Sequence, residues 1–167
     1  MVVRVVRLGT PRAKNEGLRI GTVRRPPRGV PKSAFASQDW YDVWFPNLSP
    51  SAETVKFAQT AQTPAQWAAF AKKYRAEMAA PEHARTLDLL AALSHTADFS
   101  VGCYCENEAH CHRSVLRELL AQRGAGARLD LRGQRDRQEA GVGAFGAAQA
   151  LHQPAQGVGI GEVAEVV

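Results

Sequence analysis

The stretch DFSVGCYCENEAHCHRSVLRELLAQ, residues 98–122, decides the fold. Its first seven residues, 98–104, have the apolar and β-branched content of a strand. A polar turn follows at residues 106–108, and a helix is predicted from about residue 109 to residue 122. The helix repeats apolar residues at the spacing of one buried face: Val115, Leu116, Leu119 and Leu120. This strand, cysteine-containing turn and helix are typical of an α/β domain.

The elements before this stretch fit the same fold class. Residues 2–8 and 18–23 predict two further strands, and residues 35–50 are aromatic and irregular. Three helices are predicted next, the first capped by Ser49 and the third opened by Pro81. The apolar face of the third is expected to hold Leu87, Leu90, Ala91 and Leu93. The second begins with a capping box at Thr63 and places five residues on one buried face: Trp67, Phe70, Ala71, Tyr74 and Met78.

The chain has three cysteines, all between positions 103 and 111. An odd number in so short a span does not predict a disulfide framework, and favours metal binding, nucleophilic chemistry or redox switching. On a strand, Cys103 and Cys105 would point the same way. Cys111 and the two residues after it would lie in the first helical turn, where adjacent side chains diverge by about 100° and cannot all face one point.

Three hypotheses for this cluster stay open at the level of the sequence. In the first, Cys111 or Cys105 is a reactive thiolate activated by the helix terminus, and Arg113 holds an anionic substrate. In the second, Cys103, Cys105, Cys111 and one histidine, His112 or His110, form a Cys₃His centre for zinc or iron. In the third, the thiols are buried for structural reasons.

Positive charge is concentrated near the amino terminus. The chain carries a formal net charge of +5, and residues 1–34 hold nine lysines and arginines against one acid, Glu16. The proline-rich loop 24–31 follows a predicted strand, and its Arg25 and Arg28 are expected to bind anions. A non-catalytic nucleic-acid-binding module is therefore an alternative function.

The remaining signals limit the classes of function. The chain has no GxxxxGK[ST] or Cys-x-x-Cys motif. Arg117 lies six residues after Cys111, the spacing of a phosphatase loop, but it falls deep in the predicted helix, so that pattern fails. No run approaches the roughly 18 apolar residues of a membrane span, and no secretory leader is apparent, so a cytoplasmic protein is expected. Residues 132–167, rich in Gly, Ala and Gln, are predicted to be a flexible tail.

Several motifs together resemble the domain of unknown function 488 (DUF 488) family, including its YeaO-like branch. The resemblance rests on the loop Arg25-Pro26-Pro27-Arg28-Gly29-Val30, on Trp40 with Leu48-Ser49-Pro50-Ser51, on the helix with Trp67, Phe70 and Tyr74, and on Cys103-Tyr104-Cys105 with Cys111-His112-Arg113. It covers residues 1 to about 131. It implies an α/β three-layer sandwich with a mainly parallel sheet, and it carries no catalytic role.

The sequence thus predicts a DUF 488-like α/β domain over residues 1–131, with a helix-rich middle and a tail. The leading functional hypothesis is an enzyme-like domain whose Cys/His/Arg site binds a phosphate-bearing small molecule or nucleotide. A nucleic-acid-binding module and a metal-stabilised domain are the alternatives. No membrane partner is expected.

Overall fold

The computed structural model describes residues 1–125 of the 167-residue chain. These residues form a four-stranded sheet in the order β1-β4-β2-β3, in which every neighbouring pair is parallel. The strands are β1 Val3–Arg7, β2 Leu18–Gly21, β3 Val43–Trp44 and β4 Phe99–Cys103. The predicted α/β class with a parallel sheet is confirmed.

The described residues also form four α-helices in the order that the sequence predicts, three between β3 and β4 and one after β4: α1 Ala52–Thr60, α2 Pro64–Met78, α3 Pro81–Leu93 and α4 His112–Gln122. Two short 3₁₀ helices, Lys32–Ala34 and Pro46–Leu48, precede them. The capping box of α2 is present as predicted, because the Thr63 hydroxyl accepts from the Gln66 amide and the Gln66 side chain accepts from the Thr63 amide.

One face of the sheet is covered by helices α2, α3 and α4. The side chains that point to this face alternate along the strands, as Val3, Ile20, Phe99 and Val101 do. They pack against the buried sides of the three helices, which contribute Tyr74, Met78, Leu87, Leu90, Leu116 and Leu120. This apolar core holds β4 and α4 in fixed positions, and therefore fixes the turn that joins them.

The opposite face is covered by loops rather than by helices. Gly21 and Gly102 are register partners on β2 and β4, and both lack a side chain where a loop residue approaches. A Cβ atom at Gly21 would lie 2.4 Å from the Tyr41 ring, and one at Gly102 would lie 2.4 Å from a Leu8 methyl group. The third layer of the predicted sandwich is therefore made of the segments around Leu8 and Tyr41.

The structure corrects three details of the prediction. Residues 43–44 form an edge strand inside the segment that was expected to be irregular. Helix α1 is capped by Ser51 rather than Ser49, because the Ser51 hydroxyl accepts from the Thr54 amide. Leu93, expected in the apolar face of α3, is 39% exposed because it lies at the last residue of that helix.

The expected short strand at residues 127–131 and the expected tail at 132–167 lie outside the described residues. The domain boundary at residue 131 stays a prediction for the same reason. Among residues 1–125, no helix has the length and apolar character that crossing a membrane requires.

Candidate functional site

The candidate site lies at the edge of the sheet where parallel strands end. β4 ends at Cys103, β2 ends one residue before Thr22, and α4 starts at His112. Because parallel strands finish at the same edge, residues that are far apart in sequence meet there. The Thr22 hydroxyl, for example, donates to the Gly102 carbonyl at 3.0 Å across the two strands.

All three cysteines are free thiols, and they gather at this edge. The sulfurs of Cys103 and Cys105 are 3.7 Å apart. The sulfurs of Cys103 and Cys111 and a ring nitrogen of His112 all lie within 4.8 Å of one another. Cys103 and Cys111 are buried, whereas Cys105 is exposed. The predicted clustering of the sulfurs is therefore present, and one member of the cluster can be reached from solvent.

The contacts among the three thiols shift their pKa values in different directions. The hydrogen bond from Cys103, a second from Cys111 and the charge of Arg113 together lower the pKa of Cys105 to about 3. Hydrogen bonding with Cys105 and Cys111, together with burial, raises the pKa of the Cys103 thiol. The hydrogen bond from Cys103 and the nearby His112 ring lower the pKa of Cys111, although the contact with Cys105 and burial oppose them. The exposed sulfur is thus the one that most favours the thiolate form.

His112 is the histidine that faces the thiols. Its Nε2–H donates to the Thr22 carbonyl at 2.9 Å, which leaves Nδ1 facing the Cys111 sulfur at 3.8 Å. With the Nε2 proton held by this carbonyl, Nδ1 is the ring nitrogen that faces the sulfur cluster. His110 lies elsewhere, stacked on the Trp67 ring with the centroids 4.5 Å apart.

Arg113 lies under the cysteine turn and is almost wholly buried, with 2% of its surface exposed. Its Nη2 donates to the Cys105 carbonyl at 2.6 Å. Its buried Nε has no hydrogen-bond partner within residues 1–125. The guanidinium therefore fixes the backbone of Cys105, adds positive charge beside its sulfur and keeps one donor unused.

The start of α4 differs from the prediction, and the difference explains how Cys111 and His112 both reach the cluster. The helix begins at residue 112 rather than about 109, and Cys111 is its N-cap in an extended conformation, with φ −144° and ψ 148°. The expected 100° divergence between adjacent helical residues does not apply to Cys111. Within residues 1–125 this terminus has no side-chain cap, so the positive end of the helix dipole faces the edge of the sheet without one.

The arginine loop also borders this edge. The Tyr104 hydroxyl donates to the Arg25 carbonyl at 3.2 Å, which joins the loop to the cysteine turn. Arg25 and Arg28 are exposed. Other cations of the basic segment are already paired, because Arg7 contacts Glu106, Arg12 contacts Asp42 and Arg19 contacts Glu16. The positive charge available to a ligand is therefore less than the sequence suggests, and lies mainly in loop 24–31.

Sequence reasoning missed two residues of the site, Thr22 and Tyr104. Thr22 is fully buried and orients His112, and Tyr104 links the two loops. Thr22 lies at the end of a predicted strand. Ligand-binding residues of parallel sheets occur at such ends, so this position could have indicated that Thr22 belongs to the site. Tyr104 lies between two cysteines, and its hydroxyl gives no pattern of its own.

Fold and site together define an α/β domain with a cysteine, histidine and arginine cluster at the carboxyl ends of a parallel sheet. The chain matches the family described as "Active DUF488-N3 subclade" over residues 3–124. It therefore belongs to the DUF488 family, as the sequence motifs indicated. No curated protein and no solved structure matches the chain significantly.

Proposed function

We propose that the chain is an enzyme-like domain in which the Cys105 thiolate reacts with a phosphate-bearing small molecule or nucleotide. The observation that carries the proposal is the environment of the exposed Cys105 sulfur, 3.7 Å from the buried Cys103 sulfur and beside the buried Arg113. An accessible sulfur with a hydrogen-bond donor and a fixed cation beside it is a suitable nucleophile.

The charges around Cys105 indicate the ligand class. An anion is favoured by the start of α4, which has no side-chain cap, by the unused Nε of Arg113 and by the exposed Arg25 and Arg28. Because Arg113 is buried, we assign it to stabilising the thiolate and the nearest part of an anion. The flexible side chains of loop 24–31 then hold the outer part of the ligand.

The reaction assigned to Cys105 is nucleophilic substitution. The sulfur lone pair forms a bond to the electrophilic centre of the ligand, and the leaving group departs with the electrons of the bond that breaks. Cys111 is a weaker candidate for the nucleophile because it is buried and its sulfur faces His112. A reducing compartment keeps these thiols free, which is the reason to place the protein in the cytoplasm.

Alkylation of the metal-free protein by iodoacetamide tests this proposal, with each modified cysteine identified by mass spectrometry. Cys105 is expected to react first, with a midpoint well below the ordinary thiol pKa of about 8.5, and added inorganic phosphate is expected to slow it. The matched control is Cys111→Ser, which keeps the Cys103–Cys105 contact. Three thiols that all titrate near the ordinary value, with no protection by phosphate, contradict the proposal.

A second candidate function is a metal centre, and two separations between possible ligand atoms favour it. A tetrahedral zinc site with Zn–S bonds of about 2.3 Å has edges of about 3.8 Å. The Cys103–Cys105 separation of 3.7 Å and the Cys111–His112 separation of 3.8 Å match such edges. The hydrogen bond from His112 Nε2–H to the Thr22 carbonyl is the outer contact that metal-bound histidines usually make.

Zinc or iron would be held by Cys103, Cys111 and His112, with Cys105 as the fourth ligand. The donor set of thiolates and imidazole suits zinc best. Elemental analysis of the purified chain decides between the two candidates. About one equivalent of metal, lost in the Cys103→Ser variant, supports the metal centre; less than about a tenth of an equivalent excludes it.

The structure gives less support to a nucleic-acid-binding module, because several of the basic residues are paired within the domain. Nucleic-acid binding stays an alternative, and it predicts a particular dependence of affinity on salt. Binding through backbone phosphates would weaken steeply as salt is raised, and a flat response in a duplex-binding titration would remove it.

A further inference from the structure

The Cys103–Cys105 pair combines one accessible sulfur with one buried sulfur already in contact with it. Cys105 is exposed, Cys103 is buried at the end of β4, and the two sulfurs are 3.7 Å apart. The chain bends at Tyr104, which brings both side chains to the same side of the turn. Little movement is therefore needed to bring the sulfurs to bonding distance of about 2.05 Å.

We propose that Cys105 is a modification site for hydroperoxides, and that its oxidised form is captured by Cys103 as a reversible disulfide. An oxidation-sensitive cysteine needs access to solvent, a nearby cation and a second thiol within reach. Cys105 has all three, since it is exposed, lies beside the Arg113 guanidinium and contacts Cys103.

The reaction proceeds in two balanced steps. In the first, the Cys105 sulfur attacks one oxygen of the hydroperoxide; an S–O bond forms, the O–O bond breaks, and the alcohol leaves after taking up a proton. In the second, the Cys103 sulfur attacks the Cys105 sulfur; an S–S bond forms, the S–O bond breaks, and water leaves with the proton of the Cys103 thiol. Two thiols are oxidised by two electrons, and the peroxide is reduced by two.

Cys103 is the partner because of what each sulfur contacts. Cys103 and Cys111 are both buried, but the Cys103 sulfur lies 3.7 Å from the Cys105 sulfur, whereas the Cys111 sulfur faces His112 Nδ1 at 3.8 Å. A disulfide would remove the accessible sulfur of the candidate site and so inactivate it until a dithiol reduces the bond. The inference depends on the two sulfurs, the exposure of Cys105 and the nearby Arg113, and does not require the proposed phosphate-bearing ligand.

The test uses the full chain, reduced, freed of metal with a chelator and treated with hydrogen peroxide. The remaining thiols are then alkylated, and the protein is cut after Glu106 and Arg113, which separates Cys103 and Cys105 from Cys111. The expected product is one peptide lighter by about 2 Da that holds both Cys103 and Cys105, and a separate peptide with alkylated Cys111. Dithiothreitol is expected to restore all three alkylation sites.

Two variants distinguish the assigned pair from the alternatives. Cys111→Ser is expected to form the same disulfide between Cys103 and Cys105. Cys103→Ser is expected to slow disulfide formation at least about tenfold and to leave a sulfenic acid at Cys105 that dimedone traps. A Cys111 peptide cross-linked to the other peptide, or three alkylated cysteines after peroxide treatment, would overturn the proposal. Neither outcome depends on phosphate binding, so the proposed function is judged separately.

Discussion

Arg19 is an ionised residue with no exposed surface, and Glu16 is the buried carboxylate that neutralises it. The guanidinium donates twice to this carboxylate, at 2.6 and 2.9 Å, and its third nitrogen donates to the carbonyls of Thr10 and Asp39. The Ser100 hydroxyl donates to the same carboxylate at 2.7 Å. This network joins β2 and β4 to the loops that cover the helix-free face of the sheet.

Glu16→Gln is expected to lower the free energy of unfolding by about 3–5 kcal/mol, because it leaves the Arg19 charge buried without a counter-ion. Urea denaturation at neutral pH measures this loss. Glu53→Gln is the matched control, since Glu53 pairs with Lys73 at the surface and is expected to contribute less than about 1 kcal/mol. Equal effects of the two substitutions would contradict the assigned importance of the buried pair.

The sequence could indicate which way Arg19 points but not that it would be buried. The alternation Leu18-Arg19-Ile20 correctly puts Arg19 on the face opposite Ile20. An arginine on such a face is ordinarily solvated. Its burial depends on the loops around Glu16 and Asp39, and the course of loops is set by tertiary contacts that no local pattern encodes.

The paired glycines of β2 and β4 show how an element accommodates a neighbouring loop. Tyr41 packs directly over Gly21, and the ring has no flexible end that could move aside. A glycine inside a strand usually weakens it, and is retained where another group approaches the backbone closely. Gly21 therefore allows the loop that carries Tyr41 to pack closely against the sheet.

Gly21→Ala is expected to destabilise the domain by about 1–3 kcal/mol, because the added methyl group overlaps the Tyr41 ring. The double variant with Tyr41→Ala is expected to lose less stability than the sum of the two single variants, since removing the ring removes the overlap. Urea denaturation of the four proteins in this cycle gives the coupling energy. Additive losses would show that the ring does not restrict position 21.

Elements with local signals were predictable, and elements without them were not. Helix α2 was predicted with its capping box because Thr63 and Gln66 satisfy each other within one turn. Strand β3 has two residues and gives too short a pattern to recognise. The sulfur cluster could be predicted from the strand and helix that flank it, but the position of the Cys111 sulfur could not, because it depends on the extended N-cap backbone.

At the scale of the whole molecule, several carboxylates have a lower pKa in the folded state than in an unfolded chain. Burial alone raises the pKa of Glu16 and of Glu77, yet hydrogen bonds from Arg19 to Glu16 and from Ser51 and Thr54 to Glu77 more than offset it. The hydrogen bond from Arg12 lowers the pKa of Asp42. These carboxylates are therefore stabilised in their ionised forms by folding.

The stability of the domain is expected to be lost on the acidic side. A carboxylate whose pKa is lower in the folded state stabilises the fold fully at pH values above its unfolded-state pKa, about 4 to 4.5. This stabilisation is lost as pH falls through the folded-state pKa. Urea midpoints are therefore expected to hold between about pH 5 and pH 7 and to fall below about pH 4. Glu16→Gln is expected to make the acid limb shallower, and an unchanged acid limb in that variant would contradict the role of Glu16.

The sheet order has a consequence for biosynthesis. β4 lies between β1 and β2, and its register pairs Phe99 with both Val3 and Leu18, so the central strand is the last of the four to leave the ribosome. Until it emerges, β1 and β2 have no shared neighbour, and their edges stay open to pairing with other chains. A nascent chain stalled before residue 99 is thus expected to be protease-sensitive and to require a chaperone, whereas one that exposes α4 can close its core.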